Sequence, residues 1–226
     1  MQDLSRRNLL RLAAVTPLAG SIAATGVAAG SPPRDKNNLR SAGNNTTEAA
    51  RVRIQQKNFP NVPLISHEGK QVNFYDDLLK GKVVTVNFFY SKCDEICPLV
   101  SANLAKVQKI LGDKVGRDIF MYSITLKPEE DDVAAVKAYR ESWHAGPGWT
   151  FFTGQSSDIE KIRKGIGFTY PEPAIDKDKT QHIGNVRYGN EPLMLWAACP
   201  GIAHVPWIVE SFTWMMHPET NRVQKS

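Results

Sequence analysis

The sequence lacks the patterns that identify several large functional classes. It contains no G-x-S-x-G, P-loop or G-x-G-x-x-G motif, which leaves hydrolase, NTPase and dinucleotide-binding functions without support. No block of lysine and arginine is interleaved with aromatic residues, and the net charge of +5 is mild, so we expect no nucleic-acid partner. No segment approaches about 18 continuous apolar residues, the length typical of a membrane-spanning helix.

Cysteine is scarce, with three residues in 226. Cys93 and Cys97 lie in YSKCDEICPL with three residues between them, one more than in the commonest redox motif. A zinc ribbon would need a second such pair. Cys199, in WAACPG, stands alone and is expected to be a small buried hydrophobic residue, with a role as a resolving thiol as the alternative.

The first 30 residues are typical of an export signal. Ser5-Arg6-Arg7 followed by Asn-Leu-Leu resembles the twin-arginine pattern, and a modest apolar run and small residues follow it. We therefore expect a periplasmic protein, either soluble or tethered to the membrane by its N-terminus. Residues 31 to 52 are polar and rich in Pro, Gly, Asn and Ser, which predicts a flexible linker. The folded domain is expected at residues 53 to 226.

The domain is predicted to alternate strands and helices. It begins with a β-hairpin that turns at Glu68-Gly69. The β-branched and aromatic run VVTVNFFY, residues 83 to 90, predicts a strand buried on both faces. Apolar spacing over residues 98 to 111 predicts an amphipathic helix that ends at Gly112, and the acidic run EEDD, residues 129 to 132, is expected to start the next helix. This order predicts an α/β fold with a mostly parallel central sheet between helices.

The cysteine pair directly follows the buried strand, at the sheet edge where α/β proteins hold their sites. Pro98 suits the first position of a helix, which would put Cys97 at the N-cap and lower the pKa of its thiol. The two sulfurs can then form a disulfide or hold a metal ion. A purely structural disulfide is disfavoured, because so short a loop constrains the unfolded chain least.

The stretch S-x-C-x-x-x-C-P between a strand and a helix, together with ITLKPEEDDVAAVKAY, resembles the Sco/SenC family over roughly residues 55 to 216. The resemblance implies a thioredoxin-like fold and copper binding by Cys93, Cys97 and a distant histidine. The matching segment here, QHIGNVRYGNE, nominates His182. The family helps to assemble the copper site of cytochrome c oxidase, which implies an apo copper enzyme, such as a subunit of that oxidase, as a partner.

Two functions fit this set of residues. The first is copper delivery, since two thiolates and one imidazole suit Cu(I) and can hold Cu(II) with a further ligand; the same set can also bind zinc. The second is thiol–disulfide exchange, in which Cys93 and Cys97 reduce a partner's cysteines and a thiol reductant protein restores them. Copper binding should need His182, whereas dithiol exchange should not.

Two further details of the sequence bear on this site. If the helix-end argument dominates, Cys97 is expected to be the attacking thiol in an exchange reaction. Met215, Met216 and His217 carry copper-compatible atoms, but two methionines on a C-terminal helix are expected to serve packing.

Overall fold

The structure, a computed structural model, describes residues 36–179 and 184–218. The predicted export signal, residues 1 to 30, and the predicted ligand His182 lie outside the described residues. Within the described ranges, no helix is both long enough and apolar enough to cross a membrane.

A single sheet of seven strands, in the order β2-β1-β5-β4-β3-β6-β7, forms the centre of the described chain. The elements in chain order are α1 (Lys36–Asn58), β1 (Pro63–Ser66), β2 (Gln71–Asn73), β3 (Val83–Phe89), α2 (Ile96–Leu111), β4 (Phe120–Thr125), α3 (Val133–Ser142), β5 (Trp149–Thr153), α4 (Ser156–Gly165), α5 (Pro173–Lys177), β6 (Asn185–Asn190), β7 (Leu195–Pro200) and α6 (Val205–Met216). A short π-helical segment, Phe74–Leu79, follows β2.

The sheet is mixed, so the expectation of a mostly parallel sheet is wrong. Only β3 with β4, and β4 with β5, pair in parallel, while the other neighbouring strands are antiparallel. At the two edges, β1–β2 and β6–β7 are joined by short connections that permit only antiparallel pairing, and β1 and β6 also run antiparallel to their inner neighbours β5 and β3. The helical connections between parallel strands, which the sequence pattern predicts, join β3 to β4 and β4 to β5.

Strand β3 lies inside the sheet, between β4 and β6, and its sequence, VVTVNFF, is β-branched and aromatic almost throughout, as suits a strand buried on both faces. Val84, Val86 and Phe88 pack into a core with α4 and the π-helical segment. Phe89 packs into a second core, on the other face of the sheet, with α2, α3 and α6. Both cysteines of the pair belong to this second core.

Within the segment predicted to be a flexible linker, residues 31 to 52, the chain is helical from Lys36 onward. Residues 47 to 57, TEAARVRIQQK, are mostly good helix formers, which the polar composition obscured. The helix is also held by tertiary contacts, because Arg51 donates hydrogen bonds to the carbonyl oxygen of Pro192 at 2.9 Å and to the carboxylate of Glu191.

Helix α2 begins at Ile96, two residues before the predicted start at Pro98. Proline is tolerated there because the first N–H groups of a helix have no intrahelical acceptor. Cys97 is therefore the second residue of the helix, and Glu95 occupies the N-cap. The helix ends at Gly112 as predicted, and it buries the predicted apolar face, Val100, Leu104, Val107 and Leu111.

Candidate metal centre

Cys93 and Cys97 meet at the carboxyl end of β3, where the loop that follows the strand turns into α2. The two side chains are buried, with exposed fractions of 7% and 1%. Both are free thiols. The backbone N–H of Cys97 donates a hydrogen bond to Sγ of Cys93 at 3.4 Å. The structure therefore brings the predicted pair together in one site.

The sulfur of Cys93 takes the place of a helix cap. It accepts hydrogen bonds from the thiol and backbone N–H of Cys97, from the backbone N–H of Glu95 and from the hydroxyl of Tyr90. The first N–H groups of a helix need such an acceptor, and the side chain of the N-cap residue Glu95 makes no capping bond. This arrangement favours negative charge on Cys93.

The two thiols consequently differ in acidity. Burial raises the pKa of Cys93, but the hydrogen bonds from Cys97, Glu95 and Tyr90 outweigh it and hold the pKa below its ordinary value. Burial raises the pKa of Cys97, and its hydrogen bond to Cys93 raises it further. The prediction of a lowered pKa at Cys97 is therefore wrong: the helix starts earlier than expected, which places Cys97 inside the first turn and gives the capping position to Cys93.

Tyr90 is a member of the site that sequence reasoning missed. Its side chain is buried, and burial together with its hydrogen bond to Cys93 raises its pKa. The ammonium group of Lys127 lies over its ring, 4.4 Å from the centroid, in a cation–π contact. The sequence YSKC could have indicated this role, because the hydroxyl of a tyrosine at the end of a buried strand needs a hydrogen-bond partner, and Cys93 is close by in sequence.

Asp131 is a second missed residue. It is 1% exposed, and its carboxylate accepts hydrogen bonds from the backbone N–H of Ser91, at 3.0 Å, and from the hydroxyls of Ser91 and Thr125. The acidic run was interpreted only as a helix start. That interpretation is right for Asp132, which caps α3 by accepting the N–H of Ala135 at 2.8 Å.

The other candidate residues lie where packing requires them. Cys199 is buried on β7 opposite Val186, and burial raises its pKa to about 11, as expected for a small hydrophobic residue. Met215 and Met216 are buried in the core on the α2 side of the sheet. In the described part of the chain, no three His, Cys, Asp or Glu side chains converge as a metal site.

The described chain resumes after His182 at Gly184, against the helix that carries Cys97. A β-carbon on Gly184 would lie 2.7 Å from Cγ1 of Ile96 and 2.9 Å from Cγ2 of Val100. The carbonyl oxygen of Gly184 accepts the N–H of Gly201 at 2.8 Å. This close approach, together with a φ of +57°, requires glycine.

Comparison with known proteins identifies the family of the chain. The SCO1/SenC family model matches residues 55–186, more than half of the chain. The chain belongs to the SCO1/SenC family. Its relatives include the SCO1 protein homolog of Bacillus subtilis (strain 168), which is 31% identical over 99 residues, 43% of this chain and 50% of that protein. The chain spans about half the length of the curated relatives it matches.

Solved structures of SCO1/SenC proteins share the fold. Arabidopsis thaliana ScoI with copper bound matches with a TM-score of 0.56 and 21% identity, over 69% of this chain and 96% of that one. BsSco, described as having a disulfide switch and as a member of the Sco family of cytochrome c oxidase assembly proteins, matches with a TM-score of 0.55 and 22% identity, over 69% and 91%. The predicted thioredoxin-like α/β fold is confirmed.

Proposed function

We propose that this SCO1/SenC protein is an exported copper carrier that binds copper through Cys93, Cys97 and His182. In this proposal it delivers the metal to the copper site of a respiratory enzyme such as cytochrome c oxidase. The observation that carries the proposal is the buried thiol pair, in which hydrogen bonds at the start of α2 hold the pKa of Cys93 below its ordinary value. The copper-bound structure of Arabidopsis ScoI supports it.

The donor set fits copper as cargo. Thiolates are soft ligands that suit Cu(I), and they bind it in deprotonated form. The lowered pKa of Cys93 reduces the cost of losing the first proton, and the cation itself favours loss of the second from Cys97. The surrounding apolar core limits the access of water.

Chain reach supports His182 as the third ligand. Gly184 contacts Ile96 and Val100, which flank Cys97 in α2. His182 precedes Gly184 by two positions in the sequence, and two residues of extended chain span at most about 7 Å.

The twin-arginine pattern at residues 5 to 10 supports export to the periplasm. The description of BsSco as an oxidase assembly protein supports cytochrome c oxidase as the class of client.

The acidity difference between the thiols favours a second candidate function, thiol–disulfide exchange. The Cys93 thiolate would attack a partner's disulfide, forming a mixed disulfide and releasing one partner thiol. Cys97, after losing its proton, would attack Cys93 and release the second. The partner gains two thiols and this protein keeps a Cys93–Cys97 disulfide, which a thiol reductant protein would reduce. The attacking residue is thus Cys93, in place of the Cys97 that the helix-end argument favoured.

A copper titration of the full chain tests the first function. The reduced protein, without oxygen, is titrated with Cu(I) against a competing chelator, as wild type and as His182→Ala, Cys97→Ser and His204→Ala. His204 is exposed and its side chain makes no capping bond at α6, so it is the matched control.

We expect one tightly bound copper per chain. His182→Ala and Cys97→Ser should each raise the dissociation constant by about 10-fold or more, equivalent to about 1.4 kcal/mol, with His204→Ala unchanged. Unchanged affinity in His182→Ala would remove the third ligand from the proposal and leave the thiol–disulfide function as the better account.

A further inference from the structure

We propose that Asp131 is a positioning residue for Cys93, because its buried carboxylate fixes the start of the loop that carries the cysteine pair. This inference rests on the proposed function of the pair and adds a residue to the machinery that prepares it for copper.

The carboxylate holds Ser91, which lies two residues before Cys93. The backbone N–H of Ser91 lies 3.0 Å from Oδ2 and 3.3 Å from Oδ1 of Asp131. The hydroxyl of Ser91 donates to Oδ1 of the same carboxylate. Main chain and side chain of Ser91 are therefore fixed by one group, and hydrogen bonds to an ionised acceptor are about twice as strong as neutral ones.

Asp131 is itself held from two neighbouring strands, at its carboxylate and at its backbone. The hydroxyl of Thr125, the last residue of β4, donates to Oδ2 of Asp131. The hydroxyl of Thr153, the last residue of β5, donates to the carbonyl oxygen of Asp131 at 2.6 Å. The backbone N–H of Asp131 donates to the carbonyl oxygen of Lys127 at 2.9 Å. Asp131 therefore transfers the rigidity of β4 and β5 to the loop that follows β3.

The loop between Ser91 and the sulfur is too short to absorb a displacement. The N–H of Cys93 donates to the carbonyl oxygen of Tyr90 at 3.2 Å, so residues 90 to 93 form one tight turn with Ser91 inside it. Sγ of Cys93 then accepts the N–H of Cys97 at 3.4 Å. A shift of Ser91 would move Sγ away from the donors that cap α2.

The substitution Asp131→Asn tests the role while keeping the size of the side chain. It replaces one acceptor oxygen by an NH₂ group that faces the donors of Ser91 and Thr125. In the full chain we expect the dissociation constant for Cu(I) to rise by about 10-fold or more, the scale seen when groups that orient metal ligands are changed. The matched control is Asp132→Ala, which removes a neighbouring charge and the cap of α3 without touching Ser91.

Amide hydrogen exchange of the copper-free dithiol protein gives a readout that does not depend on copper. Asp131→Asn should speed exchange at Ser91 and Cys93 relative to α3, whereas Asp132→Ala should speed exchange in α3 relative to the loop. Ser91→Ala keeps the backbone N–H bond and removes the hydroxyl bond, so it should change both readouts in the same direction as Asp131→Asn and by less. If Asp131→Asn does not fold, Ser91→Ala replaces it in both measurements.

The outcomes separate this inference from the proposed function. If Asp131→Asn binds copper within about 2-fold of Asp132→Ala, a change of about 0.4 kcal/mol, the positioning role is wrong. If the wild type binds no copper, the proposed function fails; faster loop exchange in Asp131→Asn would still support the role of Asp131 in placing Cys93, and unchanged loop exchange would overturn that role as well.

Discussion

The two ends of strand β3 are each held by a buried carboxylate, and the two carboxylates differ in their partners. At the first end, Glu191 is 2% exposed and its backbone N–H donates to the carbonyl oxygen of Lys82 at 3.0 Å. At the far end, Asp131 is 1% exposed and binds Ser91, directly before the cysteine pair. Each carboxylate accepts at least three hydrogen bonds, which satisfies a buried charge.

The two carboxylates differ in the charge of the groups that donate hydrogen bonds to them. Glu191 accepts from the guanidinium of Arg51, from the hydroxyl of Tyr75 at 2.8 Å and from the N–H of Gly81 at 2.7 Å. It thereby ties helix α1 to the sheet by an ion pair. Within the described residues, Asp131 has only uncharged donors. A carboxylate with a cationic partner thus braces two distant segments, whereas one with uncharged donors fixes the loop that carries the proposed copper ligands.

Glu191→Ala should have the largest effect on stability. It removes the carboxylate that accepts from Arg51, Tyr75 and the N–H of Gly81, and loss of one partner from a buried pair costs about 3–5 kcal/mol. Since the side chain of Arg51 is 28% exposed, we expect about 3 kcal/mol. Urea unfolding of the copper-free protein measures this loss. Copper affinity of the folded protein should be unchanged; a weakened copper site would mean that the two ends of β3 are not independent.

Gly184→Ala should have an intermediate effect, and it acts at the cysteine end. The new β-carbon would lie within 3.0 Å of both Ile96 and Val100, in a backbone conformation with positive φ. We expect a loss of about 2 kcal/mol from overpacking and strain, together with weaker Cu(I) binding because the first turn of α2 must shift. The contrast between the two variants is the informative result. Glu191→Ala should lose stability and keep its copper affinity, whereas Gly184→Ala should lose both.

The stability of the protein at low pH should depend on two further carboxylates, Glu160 and Asp176, which are paired with an arginine as Glu191 is. Hydrogen bonds from Arg163 lower the pKa of Glu160 to about 2 and lower that of Asp176 as well. Because these folded-state values lie below the unfolded ones, the stabilisation is present above about pH 4 and is lost as the pH falls toward 2. Solvent screening limits it to about 1 kcal/mol.

The variant Arg163→Met isolates this contribution. Its stability should fall less steeply between about pH 5 and pH 2 than that of the wild type, as followed by thermal unfolding across the range. Parallel curves for the two proteins would assign the acid sensitivity to other groups.

Cys199→Ala should have the smallest effect on the site. The thiol is buried and its raised pKa of about 11 keeps it neutral, so its loss should cost about 1 kcal/mol from packing alone. Copper stoichiometry and affinity should match the wild type in the same chelator titration. A change in either quantity would indicate that Cys199 takes part in copper binding.

Much of the cysteine site was predictable because its signals are local. The β-branched run ending at Tyr90 identifies β3, and the apolar spacing after Pro98 identifies α2. The family resemblance then follows from Cys93 and Cys97 between them. A shift of two residues in the start of α2 was nevertheless enough to exchange the acidities of the two thiols, since hydrogen bonds to individual N–H groups decide them.

The missed features depend on contacts between residues distant in sequence. Asp131 and Asp132 look alike in EEDD, and only the placement of Thr125 and Ser91 distinguishes the buried carboxylate from the exposed cap. Helix α1 is held through Glu191, 140 residues beyond Arg51. The antiparallel edges of the sheet likewise follow from which strands become neighbours, which local patterns do not encode.

The measurement that tests the central claim most directly is X-ray absorption of the Cu(I)-loaded full chain at the copper edge, for the wild type and His182→Ala. The account predicts two sulfur scatterers and one nitrogen scatterer in the wild type, with the nitrogen lost or replaced by a solvent or buffer atom of altered distance in the variant. Identical spectra for the two proteins, or a copper coordinated by sulfur alone, would contradict the assignment of Cys93, Cys97 and His182 as the copper ligands.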